Sequence, residues 1–276
     1  MVFRISDIDE TQTPLLEHLI ELRKRLVRAF LALAVAFGVC LYFSNQIFAL
    51  LVRPLASAFP PGQGKLIYTK LYEAFFVDIK VAMFAAFFVS FPIIANQLWA
   101  FVAPGLYAKE KKAFLPFLLA TPILFAMGAS LAYFVVMPTA FKYFLGFQHK
   151  SAGLQQEALP AMGDYLDLVM RFIFMFGAAF LLPVLLLLLQ RAGLVTRKQL
   201  VGARRYVIVV IFIVAAVITP PDVVSQFLLA IPLLALFEGT LLVMRFNEKK
   251  AAKRAAEEAQ KTETAPKQLE ADEAAE

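Results

Sequence analysis

LVMRFIFMFGAAFLLPVLLLLLQ, residues 168–190, decides the fold class. Arg171 near its start is the one charge it carries. As an α-helix rising about 1.5 Å per residue, it is long enough to cross a hydrocarbon core of about 30 Å. Similar apolar runs lie at Leu26 to Phe43, Ala74 to Val102, Ala113 to Met137 and Val223 to Met244, with a shorter one at Tyr206 to Thr219. Over 276 residues, 61% are hydrophobic and only 17% charged, with mean hydropathy +0.71. A soluble domain carries about 25% charged residues, so the class is a polytopic membrane protein.

The fold expected is therefore an all-α integral membrane protein of six transmembrane helices. Its Tyr206 to Thr219 run covers only about 21 Å as helix, so the last two spans form a short hairpin or thin the bilayer locally. Pro92, Pro122, Pro138, Pro183 and Pro232 lie in or at the ends of spans and are expected to bend several of them. Three parts are expected: a cytoplasmic amphipathic segment over 1–25, a membrane domain over 26–244, and a charged cytoplasmic tail over 245–276, disordered or loosely helical. Residues 1–13 are polar and acidic rather than basic then apolar, so no cleavable signal is expected and the first span stays attached. Two long loops are expected, the first with short helices lying against the membrane. Asp167 and Arg171, four residues apart, are expected to pair.

Lysine and arginine set the orientation. Five lie in the N-terminal region through Arg28, three between the second and third spans, five between the fourth and fifth, and seven in the tail. The opposite loops hold five between them. Basic loops stay in the cytoplasm, so both termini are expected there.

Immediately before the first span stands TPLLEHLIELRKR, Thr13 to Arg25. Thr13 suits an N-cap and Pro14 the first helical position. Leu15, Leu19, Leu22 and Leu26 then line one face of an amphipathic helix, and Glu17, Glu21, Arg23, Lys24 and Arg25 occupy the others. A carboxylate such as Glu21 at a membrane surface, where water is partly excluded, attracts a guanidinium far better than one in bulk solvent. Glu21 and Arg25 also stand four apart in the favourable order, a pair worth about 0.2–0.5 kcal/mol of helix support and requiring no function.

Catalytic motifs are missing. The chain holds no phosphate-binding glycine loop, no dinucleotide fingerprint, no nucleophile elbow and no zinc-protease motif, so neither an enzyme nor an ATP-driven pump is expected. His18 and Glu21 lack a third ligand, so no metal is expected, and no other cofactor. The single cysteine, Cys40, excludes an internal disulfide. Glu238, Gln226 and Thr219 are polar groups within or beside the last two spans, where each needs a partner or a function. No continuous string of ionisable groups crosses the membrane, which weighs against a proton-coupled secondary transporter for a small solute, the alternative reading.

Four stretches in order, HLIELRKRL at 18–26, QLWAFVAPGLYAKEKK at 97–112, AYFVVMP at 132–138 and TPPDVVSQ at 219–226, resemble the TatC family, the multispanning core of the twin-arginine protein translocase. The resemblance covers roughly residues 13 to 246. It implies a receptor and scaffold of the bacterial cytoplasmic (inner) membrane that binds twin-arginine signal peptides of folded precursor proteins, in an export pathway driven by the proton-motive force. The family's two signal-binding acids fall on Glu21 and Glu110, and Arg23 and Phe101 match other positions of that cytoplasmic surface. Thr219 and Gln226 are implied contacts for the single-span partners, TatB-like and TatA-like proteins, in an oligomeric complex within membrane lipid and without nucleic acid. Asp222 matches a position important in the family. One departure stands in the fourth span, where the family commonly has Phe-Glu-x-Pro and this chain has Phe180, Leu181, Leu182 and Pro183.

Overall fold

The computed structural model describes residues 9–60, 64–106, 115–146, 150–151, 154–155, 159–219 and 222–273. Five stretches are helical, long and apolar enough to cross a membrane: Leu19–Tyr42, Glu73–Phe101, Phe117–Leu145, Met162–Arg191 and Val223–Lys250. Their outer faces are apolar, with Phe30, Val35, Phe134 and Ile231 all exposed. Such surface is stable against lipid, not water.

The first of these belongs to α1 (Asp9–Tyr42), and after a turn at Phe43 the chain enters α2 (Ser44–Ala56). α1 packs along α3 (Glu73–Leu106) through Ala36, Cys40, Ala82 and Ala86. Small residues let two backbones approach closely where lipid supplies no hydrophobic drive between helices. α2 then lies across the bundle, burying Leu51 and Leu55 against Val77 and Val81 of α3.

The third stretch contains α4 (Leu115–Leu131), a π-helical segment Ala132–Val136, and α5 (Met137–Leu145). Pro138 sits in the first turn of α5, and the Met137 N–H reaches back five residues to the Ala132 carbonyl. The wider turn takes up the disruption a proline brings, so the helix continues past the exit the sequence suggested. A two-stranded hairpin, β1 (Lys150–Ser151) with β2 (Leu154–Gln155), follows.

α6 (Met162–Ala179) is the central post. Leu166, Val169, Phe172, Ile173 and Phe176 are buried at helical spacing. α4 meets it at two glycines. A Cβ on Gly128 would stand 2.5 Å from the Phe176 carbonyl, and one on Gly177 would stand 2.7 Å from the Phe125 ring, so the contact requires both to lack side chains. Phe125 stacks on Phe91 with ring centroids 4.0 Å apart, tying α3 into the same seam. After a break at Phe180 and Leu181, α7 (Leu182–Arg191) carries Pro183 in its first turn. Pro183 and Pro138 thus coincide with interruptions, whereas Pro92, Pro122 and Pro232 lie inside continuous helices.

The basic connector is built tightly. Gly193, with φ 73°, ends α7: its N–H donates to the Gln190 carbonyl and that of Leu194 to Leu189, a Schellman closure. Thr196 and Gln199 then form a reciprocal capping box on α8 (Arg197–Gly202). α9 (Arg204–Ile218) has 15 residues, about 22 Å of helix, and packs on α10 (Val223–Glu273). The backbone of α10 is helical for 51 residues, as far as Glu273 in the tail read from sequence as disordered or loosely helical. Alanine, glutamate, glutamine and lysine dominate that tail and are strong helix formers, which outweighs its lack of an apolar stripe.

Candidate functional site

Glu21 and Arg25 occupy adjacent turns of α1, and Arg25 Nη2 donates to Glu21 Oε1. The Arg25 side chain is 16% exposed and that of Glu21 40%, so the carboxylate faces outward from a partly covered guanidinium. Among the described residues, Arg25 Nη1 is buried without a hydrogen-bond partner. Arg23, two residues earlier, is exposed. Consecutive spans run antiparallel, and with Ala36 and Cys40 packed on Ala82 and Ala86 the register brings Glu21 level with Phe101. Phe101 is half-buried near the end of α3. The structure therefore gathers Glu21, Arg23, Arg25 and Phe101 at one end of the bundle. Glu110 lies in the connector beyond α3, outside the described residues.

The remaining sequence-selected residues lie in the α9–α10 hairpin. Asp222 caps α10: its Oδ1 accepts from the Ser225 N–H at 2.7 Å. Its Oδ2 is buried with no hydrogen-bond partner among the described residues, as is the Ser225 hydroxyl. Thr219 is buried and donates to the Ala215 carbonyl of its own helix at 2.8 Å. Gln226 is half-buried and donates across the hairpin to the Phe212 carbonyl at 3.1 Å. Glu238, deep in the last span, accepts from Arg204 Nη2 at 2.8 Å, so α9 supplies its counter-charge.

One sequence expectation fails. Asp167 does not pair with Arg171; its two oxygens accept from Lys80 Nζ of α3 at 2.9 and 3.0 Å. Packing of α3 on α6 brings a cation to both oxygens, and a pair within one helix gains too little to compete.

Sequence reasoning missed a second constellation, at the end opposite Glu21. Glu73 Oε1 accepts from the Gly163 N–H at 2.8 Å, and Oε2 accepts from the N–H groups of Thr69 at 2.8 Å and Lys70 at 3.3 Å. One carboxylate thus joins the first loop to the start of α6. Beside it, Ile67 exchanges backbone hydrogen bonds with Pro160 and Met162. Pro54 lies inside α2 and has no N–H for the Leu50 carbonyl, which accepts instead from the Tyr133 hydroxyl at 2.6 Å. The neighbouring Leu51 carbonyl accepts from the buried Tyr165 hydroxyl at 2.8 Å. Pro54 was the one readable signal, since a proline inside a helix announces carbonyls needing other donors.

The comparisons with known proteins agree with this architecture. A family model described as "Sec-independent protein translocase protein (TatC)" matches residues 17–232. A protein of that name from Magnetococcus marinus is 50% identical over 252 residues, 91% of each chain. The Escherichia coli (strain K12) protein of the same name is 39% identical over 239 residues, 87% of this chain and 90% of that one. Among solved structures, "Crystal Structure of Twin Arginine Translocase Receptor- TatC in DDM" superposes with a TM-score of 0.71 at 36% identity, covering 82% of this chain and 99% of that one. A second solved structure, "Crystal Structure of Twin Arginine Translocase Receptor- TatC", gives a TM-score of 0.69 at 38% identity, covering 83% of this chain and 98% of that one. With the match running from the helix that carries Glu21 to the hairpin that carries Gln226, this chain belongs to the TatC family of Sec-independent protein translocase proteins.

Proposed function

We propose that this multi-pass bacterial translocase subunit is the receptor that captures the two arginines of a twin-arginine signal peptide, with Glu21 and Glu110 as the paired carboxylates. The observation that carries the reading is the half-exposed Glu21, already holding a guanidinium and level with Phe101 at the mouth of the connector that contains Glu110. A planar guanidinium binds a carboxylate through two parallel hydrogen bonds, which an ammonium cannot do. Arg23 and Phe101 frame the site, Phe101 offering a ring face to an arginine.

In this reading six helices cross the bacterial cytoplasmic membrane, α9 being the short fifth, with both termini cytoplasmic. The domain plan is an amphipathic segment over 1–25, a membrane body over 26–244 and a cytoplasmic tail beyond. The short α9–α10 hairpin takes the single-span TatB-like and TatA-like partners in an oligomeric assembly. The Gln226 amide donates inside the hairpin, so its oxygen is the atom offered to a partner helix. Asp222 sets the turn that presents it. Export of the folded precursor follows, driven by the proton-motive force rather than by chemistry in this chain. The small-solute transporter loses ground to the family membership.

Photocrosslinkers at positions 21 and 110, in the assembled complex, test this. A twin-arginine precursor is labelled from both, and a twin-lysine precursor labels weakly. Equal labelling of the two precursors overturns the charge readout.

A further inference from the structure

α7 and α9 both pack on α10 and hardly on each other, which leaves a groove of about 500 Å³ between them. Leu181, Leu182 and Leu185 form one wall, Val210 and Val214 the other, and Leu233 of α10 the floor. The polar groups at its edge are spent on each other: Trp99 Nε1 donates to Thr121 Oγ1 at 2.8 Å, and Thr121 donates to the Phe117 carbonyl at 2.8 Å. Nothing in this lining asks for a hydrogen bond. Leu185 and Val210 are more than half exposed, so the groove opens on the lipid side of the bundle.

Two guanidinium groups flank its mouth. Arg191, six residues or about 9 Å beyond Leu185, places its guanidinium 4.9 Å over the Phe117 ring, which in turn packs on the groove residue Trp99. Tyr206, four residues before Val210 and so on the same face of α9, carries the Arg205 guanidinium 4.8 Å over its ring. Arg204 and Arg197 are matched by Glu238 and Glu248, but among the described residues no carboxylate pairs with Arg205. A void of this size holds about one turn of a helix 10–12 Å wide, so it does not suit a partner span. A flexible chain fits it.

We propose that this groove is a binding site for an anionic phospholipid, with an acyl chain between α7 and α9 and the phosphate at Arg191 and Arg205. The offset of about 6–9 Å between the charges and the apolar walls matches a lipid whose headgroup sits at the membrane surface and whose chain enters just below it. The site is independent of the signal-peptide reading, because neither Glu21 nor Glu110 takes part in it.

The test uses the full chain released from vesicles of equal phosphatidylglycerol and phosphatidylcholine, with retained lipid counted by native mass spectrometry. The intact protein keeps phosphatidylglycerol at least fivefold over phosphatidylcholine. Arg191→Gln with Arg205→Gln abolishes the preference, and Leu181→Glu, which puts a carboxylate in the groove, removes retention of both lipids. Val214→Trp fills the opposite wall and gives the same loss, so the test stands even if Leu181→Glu lowers the unfolding midpoint. No preference in the intact protein overturns the proposal, as does retention that survives both groove substitutions. Displacement by soluble glycerol phosphate alone overturns the acyl component, and a partner helix crosslinking to Val214 with no lipid retained overturns the occupant.

Discussion

The two ends of the bundle are held by different forces. At the end bearing the first loop, the contacts are hydrogen bonds between elements far apart in sequence: Tyr165 to Leu51, Tyr133 to Leu50, and Glu73 to Gly163. At the basic end the described polar contacts are the local Glu21–Arg25 pair and Thr196–Gln199 box, with the part-exposed ion pairs Arg197–Glu248 and Arg204–Glu238 as the links between helices. Directed hydrogen bonds between distant segments fix their relative position and are costly to leave unmade. An exposed pair within one helix contributes little and exchanges readily. The first end is an anchor and the second is free to trade partners, as the proposed capture of a signal peptide there requires.

The contrast is broken most severely by a substitution that weakens binding at one end without touching stability. Glu21→Gln should lower the affinity for a twin-arginine precursor by roughly ten- to a hundredfold, the worth of about 1.5–3 kcal/mol for a hydrogen bond to a charged group. The thermal unfolding midpoint should stay within error of the parent; a fallen midpoint would make the acid structural. Next in size is Tyr165→Phe, which leaves the buried Leu51 carbonyl without its donor and should cost about 1–3 kcal/mol in equilibrium unfolding, with precursor crosslinking by the folded fraction unchanged. Glu73→Gln removes the charge shared by three N–H groups. Amide exchange at Thr69, Lys70 and Gly163 should quicken while exchange along α1 does not, and equal quickening at both ends would erase the distinction. The smallest effect belongs to Lys80→Met, since both partners of the Lys80–Asp167 pair are 49% exposed: about 0.2–1 kcal/mol by the same unfolding measurement, reduced further by salt.

The contrast also explains what the sequence could reveal. Spans are read from apolar runs because lipid demands them residue by residue, and the runs around 168–190 and 26–43 leave no other reading. The Glu21–Arg25 pair is legible for a similar reason, as both partners lie one turn apart. Glu73 reads as an ordinary acid at a helix start, because its partner Gly163 is 90 positions away and contributes a backbone N–H that any residue but proline would have. The Asp167 error has the same root: the local candidate Arg171 is visible, while Lys80 becomes available only when α3 packs on α6. Gly193 and the Thr196 to Gln199 spacing were in plain view, and sequence signals for a glycine stop and a capping box would have resolved the connector.

Pro54 invites one more thought. Every other residue would bring its own hydrogen and satisfy the Leu50 carbonyl within α2, leaving that helix complete and indifferent to its surroundings. By withholding one atom, the proline makes α2 dependent on a hydroxyl from a distant helix, and Tyr133 answers. The fold's long-range order at this end is thus encoded as an omission: a locally better-bonded helix would be a more loosely attached one.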